Sequence, residues 1–190
     1  MRPSILLLLV LARPLGAQRR LVPSDSVGSD STLLGLSRTV LREGPHAPVR
    51  TTRPCDVVNV HDGDTLTCRG GMRVRLVGID APELSQEPFG RQAREALKAL
   101  VPVGSRVELE EDVAPKDQYG RTLAYAWRSG LLINWVMIRA GWALELTYPP
   151  NVQYVDPLRD AQRRARDEGR GLWAERGFDC RPVDHRRGRC

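Results

Sequence analysis

The chain has 190 residues, 41% of them hydrophobic, with 29 Lys and Arg against 23 Asp and Glu, a formal net charge of +6. At roughly 150 residues per domain this is one core with appendages, which excludes a long repeat array or two full-sized domains. A mean hydropathy of -0.36 excludes a multispanning membrane protein, and the basic balance favours an anionic partner.

Met1 to Ala17 starts with the basic Arg2, passes through the apolar run Ile5 to Ala12 and ends in Gly16-Ala17, the outline of a secretory signal. Export, secreted or periplasmic, is therefore expected. The run is too short to span a bilayer, which takes about 20 residues, so no stable membrane association is expected. Residues 18–54 are rich in Ser, Asp, Pro and Arg and read as a flexible linker, because that composition buries too little surface to offset ordering entropy. A compact domain is expected over 55–173. An Arg-rich tail follows at 174–190 and reads as a solvated terminus.

Within the domain, Val57, Val58 and Val60 lead into His61-Asp62-Gly63-Asp64, after which Thr65-Leu66-Thr67 resumes a β-prone run. An Asp-Gly pair between two such runs signals a hairpin. Gly70-Gly71 turns into the alternating Met72 to Val77, so 56–80 reads as a three-stranded antiparallel meander. Phe89, Ala93, Ala96, Leu97 and Leu100 form the stripe of an amphipathic helix starting near Pro88. A fourth strand is expected over Arg106 to Glu111 and a fifth over Arg121 to Trp127. A second helix, Leu131 to Ala140, is apolar on nearly every face and so should be buried. Asp156 and Pro157 supply a cap and first residue for a third helix running to about Arg166. The fold expected is mainly β with α, an α+β class: a five-stranded OB-fold barrel with three helices.

The four cysteines form no CxxC pair and the three histidines are scattered, which argues against zinc and, in an exported chain, for two disulfides. If the first turn centres on His61-Asp62, Cys55 and Cys68 face each other across the hairpin. If it centres on Asp62-Gly63, they are diagonal neighbours, still within bridging reach. Cys55–Cys68 is expected on either register, leaving Cys180–Cys190 by elimination.

The meander brings Asp64 and Asp80 together, with Glu83 just beyond on the Ala81-Pro82-Glu83 turn. Three carboxylates in one corner repel unless a cation is present, and hard oxygen donors suit calcium better than zinc. Arg75 lies on the strand that ends in Asp80, and Arg121 opens the fifth strand. Two guanidinium forks beside such a corner describe a phosphate site. Each residue also has a plainer reading: Asp62 and Asp64 as turn formers, Arg75 as one of an exposed pair with Arg73, Glu83 as a solvated residue ahead of a helix.

Taken together, Asp62-Gly63-Asp64-Thr65, then Val74 to Glu83, then Asp117-Gln118-Tyr119-Gly120-Arg121 through Tyr125, resemble the staphylococcal nuclease (thermonuclease, SNase-like) family. The similarity continues through Asn134, Gly141 and Ala143 to Gly171-Leu172-Trp173. The resemblance implies an OB-type barrel with three helices and calcium-dependent hydrolysis of DNA and RNA to 3'-phosphate products. Single-stranded or locally melted substrate is expected to be preferred, and a monomer is expected. It implies Asp64, Asp80 and the carbonyl of Ala81 as Ca2+ ligands, and Arg75, Glu83 and Arg121 as the catalytic trio. Tyr119, and Tyr148 as the candidate for a second aromatic, would contact substrate. The sequence departs from the family at Ala81, where Thr is common, and at Gln118, where the nuclease itself has Lys. The competing class is a noncatalytic OB-fold nucleic-acid-binding module. Basic charge alone would serve such a module, which has no need of Glu83 or the Asp64–Asp80 pair.

Overall fold

The computed structural model describes residues 34–190. The expected export signal at 1–17 and the first part of the expected linker lie outside the described residues. In chain order the elements are α1 (Arg38–Leu41), β1 (Thr52–Val60), β2 (Thr65–Cys68), β3 (Arg73–Leu76), β4 (Gly78–Asp80), α2 (Phe89–Leu100), β5 (Arg106–Glu110), β6 (Thr122–Arg128), β7 (Leu131–Leu132), α3 (Ile133–Arg139), β8 (Leu144–Leu146), α4 (Val155–Asp167) and α5 (Pro182–His185), with a 3-10 turn at Gly171–Trp173 before α5.

Strands β1 to β3 form an antiparallel meander, β5 pairs with β1, and β6 pairs with β5. Strand β6 then runs parallel to β3, closing five strands into a barrel with the connectivity of an OB fold. The alternation along β3 follows from the two-residue period of a strand: Val74 and Leu76 are buried in the barrel, while Arg75 stands on the other face.

Helix α2 buries Gly90, Ala93, Ala96 and Leu97 on one stripe. All seven residues of α3 are buried, as its apolar faces require. The helix starts two residues later than expected because Leu131–Leu132 first pairs with β6 as a short hairpin. Helix α4 begins at Val155, so Pro157 falls inside its first turn, where a missing backbone N–H costs nothing.

The third strand of the meander is interrupted. Gly78 has φ +79°, a left-handed conformation that turns the chain away from β2, and Gly78–Asp80 pairs with β8 instead. The Val77 carbonyl at this break is met by Asn134, whose Nδ2 donates to it at 2.8 Å while its Oδ1 accepts from the Ala126 N–H at 2.9 Å. A fully buried amide thus ties α3 to the break and to β6.

Two segments differ from expectation. The described part of the 18–54 stretch packs on the domain rather than forming a flexible linker: Leu36 is 2% exposed, and Glu43 pairs with Arg139 and Arg164 at 3.7 and 3.3 Å. The backbone N–H groups of Val49 and Arg50 donate to the buried Glu110 carboxylate at 2.9 and 2.7 Å. The tail likewise folds back instead of projecting into solvent: Phe178 is buried against Trp173, and Cys180 and Cys190 are joined. The Cys55–Cys68 disulfide is also formed. Its register is the diagonal one, since Val57 rather than Cys55 faces Cys68 and a bulge follows at Val57/Asn59. Among the described residues no helix is long and apolar enough to cross a membrane.

Candidate active site

The corner is built on the turn between β1 and β2. Gly63 is required there by close approach: a Cβ would come within 2.5 Å of Ala81 Cβ and 2.9 Å of Ala93 Cβ. That proximity lets the Ala81 N–H donate to Oδ2 of Asp64 at 2.8 Å, while the Thr65 hydroxyl donates to Oδ1 at 3.1 Å. Asp62 fixes the turn by accepting the Asp64 N–H at 3.0 Å. Arg75 reaches both carboxylates from β3, its Nη2 lying 3.2 Å from Asp64 Oδ2 and 3.4 Å from Asp80 Oδ1. Its Nη1 donates to the Leu76 carbonyl at 2.6 Å, which locks the guanidinium in place.

Asp64 and Asp80 are 6% and 2% exposed, so negative charge is gathered where water screens it poorly. Burial raises the Asp80 carboxyl above the usual range, against the opposing pull of Arg186 and Arg75. Burial, and next the Asp64 charge, push Asp62 up to about 6. A pair of buried hard-oxygen donors with this surplus of negative charge fits a divalent cation such as calcium. Among the described residues no three His, Cys, Asp or Glu side chains form a ready-made cage, so further ligands would be backbone carbonyls and water. Ala81 is buried next to Asp80.

Arg121 lines the same cleft, immediately before β6, the strand that runs parallel to the β3 of Arg75. Asp117 orients it: Arg121 Nε donates to Asp117 Oδ2 at 2.6 Å, and the N–H groups of Tyr119 and Arg121 each donate to Oδ1 at 2.9 Å. Burial alone would raise the Asp117 carboxyl, but these three donors hold it below the ordinary value. The terminal nitrogens of Arg121 have no hydrogen bond among the described residues, and its guanidinium carbon lies 5.6 Å from the Tyr119 ring centroid. Tyr119 and Tyr148 are 75% and 63% exposed. Asp64, Arg75, Glu83, Arg121, Tyr119 and Tyr148 all line one cleft of about 1520 Å³.

Glu83 joins the corner indirectly. Its backbone N–H donates to Gln86 Oε1 at 3.0 Å, and its carboxylate accepts from Arg186 Nη1 at 2.7 Å. Arg186 also grips both oxygens of Asp80, at 3.0 Å each. The three carboxylates are therefore bridged by two guanidinium groups, Arg75 and Arg186, rather than facing one bare point. Sequence reasoning missed Arg186, which carries no local motif, and gave Asp117 no role beyond its turn. The pattern Asp117-x-x-x-Arg121 across a glycine turn was the available signal for the second.

Residues 73–175, more than half of the chain, match the family described as Staphylococcal nuclease homologue. The Thermonuclease of Staphylococcus intermedius is 38% identical over 125 residues, covering 62% of this chain and 74% of its own length. The Thermonuclease of Staphylococcus hyicus is 32% identical over 126 residues, with the same coverage of 62% and 74%. An "Uncharacterized endonuclease" of Haemophilus influenzae is 40% identical over 134 residues, covering 66% of this chain and 69% of its own length. On these matches, over the closed five-stranded barrel described above, the chain belongs to the staphylococcal nuclease family and is a nuclease hydrolase.

Proposed function

We propose that the chain is a calcium-dependent endonuclease that hydrolyses DNA and RNA and leaves 3'-phosphate ends. One observation carries this reading: Asp64 and Asp80 converge on Arg75, which lines the same cleft as Arg121, itself fixed by Asp117. A phosphodiester laid between the two guanidinium groups would meet a fork on either side. Calcium, held by Asp64, Asp80 and the Ala81 carbonyl, would add positive charge against the phosphate oxygens as they become more negative.

Glu83 takes the proton from, or positions, the attacking water, a contribution of about 10²–10⁴-fold where a side chain acts as general base. Arg75 and Arg121 stabilise the charge that develops on the equatorial oxygens as water adds to phosphorus. One of them assists departure of the 5'-oxygen, which leaves as a hydroxyl while the phosphate stays on the 3' side. Tyr119 and Tyr148, exposed at the rim, offer ring faces on which bases of a single or locally melted strand stack.

The working unit is read as residues 55–173, acting as an exported monomer without stable membrane association. The opening 17 residues and the two disulfides support export. Cleavage of a labelled single-stranded DNA and of an RNA by purified protein tests the reading. Calcium should support cleavage of both, excess chelator should abolish it, and added calcium should restore it. Cleavage that persists in excess chelator would overturn the metal reading, and retention of intact strands with no cleavage would select the binding module.

A further inference from the structure

The last eleven residues form a strap laid across the 80–86 segment that carries Glu83. Cys180 and Cys190 close it into a loop through a disulfide ten positions apart. Its hydrogen bonds to the body of the molecule fall on that one segment. Gln86 Nε2 donates to the Cys180 carbonyl at 2.9 Å, and the Ser85 hydroxyl and His185 Nε2 are hydrogen-bonded at 2.9 Å. Helix α5 then delivers Arg186, whose two terminal nitrogens take both oxygens of Asp80 while Nη1 also binds Glu83 Oε1 at 2.7 Å. Upstream, Phe178 is buried in a small cluster with Leu144 and Leu172, which roots the strap on the domain.

Arg186 therefore engages one expected cation ligand and the expected base together. With Arg75 already at Oδ1, a planar guanidinium bidentate on Asp80 takes up the carboxylate face that a divalent ion would need, so ion and guanidinium compete for it. The same guanidinium holds Oε1 of Glu83, one of the two oxygens with which it would accept a proton, and stabilises its charged form. The Arg186 side chain is 40% exposed against 3% for Asp80, so it lies on the solvent side of the buried carboxylate, and it lines the cleft together with Asp64, Arg75 and Arg121.

The geometry points to the Cys180–Cys190 strap as an autoinhibitory insert: Arg186 occupies the Asp80–Glu83 corner as an internal cation, and calcium binds only as Arg186 withdraws. This rests on the reading of Asp64 and Asp80 as calcium ligands. The strap then imposes a conformational tax on calcium affinity, equal to the fraction of molecules in which the corner is free. The disulfide keeps Arg186 at high local concentration by shortening the loop that bears it.

Titration calorimetry with calcium chloride, without substrate, on three forms of the full chain tests this. The forms are the wild type, Arg186→Gln, and the Cys180→Ser/Cys190→Ser double variant. If the strap is closed in about nine molecules of ten, Arg186→Gln should bind calcium about tenfold more tightly than wild type. The double variant retains the Arg186 charge and so separates strap release from simple charge removal; it too should bind more tightly. Hydrogen exchange of residues 181–190 in the wild type should accelerate on adding calcium. Equal calcium affinity in all three forms, or strap exchange unaltered by bound calcium, would overturn the strap while leaving the nuclease reading intact. Absence of calcium binding in all three would overturn the metal reading and the strap with it.

Discussion

The backbone N–H of Ala81 donates to Oδ2 of Asp64 at 2.8 Å, joining two residues seventeen positions apart on different strand ends. This bond sets the spacing of the corner. It aligns the carboxylate that opens β2 with the segment running from Asp80 to Glu83, and it is possible only because Gly63 lets the turn lie against Ala81 and Ala93.

Replacing Gly63 by Ala would place a methyl group 2.5 Å from Ala81 Cβ, and the two segments must separate. Overpacking of this kind costs about 1–3 kcal/mol. Urea unfolding should show a loss in that range, and calorimetry should show weaker calcium binding in the folded variant. Unchanged values in both would mean that the Asp64–Ala81 spacing is not critical.

Asp117 holds Arg121 through two donors, its backbone N–H and Nε, with a third bond from the Tyr119 N–H, and among the described residues it pairs with no other charged group. Asp117→Ala should leave the fold intact but lower turnover about ten- to a hundredfold, the usual cost of losing the residue that positions a working group. The loss should fall on kcat more than on KM. A KM effect alone would make Asp117 a binding residue.

Glu83→Gln, Arg75→Ala and Arg121→Ala should each lower turnover by at least about a hundredfold with a native circular dichroism spectrum, since each removes proton transfer or a transition-state donor. Digestion of single-stranded DNA at the wild-type rate by any one of them would remove that residue from the mechanism.

Asn134 is structural. Asn134→Ala leaves the Ala126 N–H and the Val77 carbonyl without their partner inside the protein. At about 1–3 kcal/mol for each orphaned group, denaturant unfolding should show a loss of about 2–6 kcal/mol. Calcium affinity of the protein that remains folded should be unchanged.

Local pattern carried much of the architecture. The stripe of α2, the all-apolar α3 and the alternation of β3 each follow from a period visible within a dozen residues. The Cys55–Cys68 pair was legible to within one step of register, the step being decided by the bulge at Val57/Asn59. What stayed hidden depends on distant partners. The β4–β8 pair joins two three-residue strands more than sixty positions apart, too short for either to declare itself. The segment before β1 looks like linker because its composition is polar, yet Leu36, Glu43 and two backbone N–H groups at Val49 and Arg50 each find a partner on the domain. Arg186 is one arginine among many in the tail, and only the fold of the strap singles it out.

The chemical identity of the ends produced from a defined single-stranded DNA in calcium tests the central claim most directly. Attack of water with departure of the 5'-oxygen predicts new 5'-hydroxyl ends, labelled by polynucleotide kinase without prior phosphatase, and 3'-phosphate ends on the other fragment. Fragments that carry 5'-phosphate, or a strand that is bound yet left whole, would contradict it.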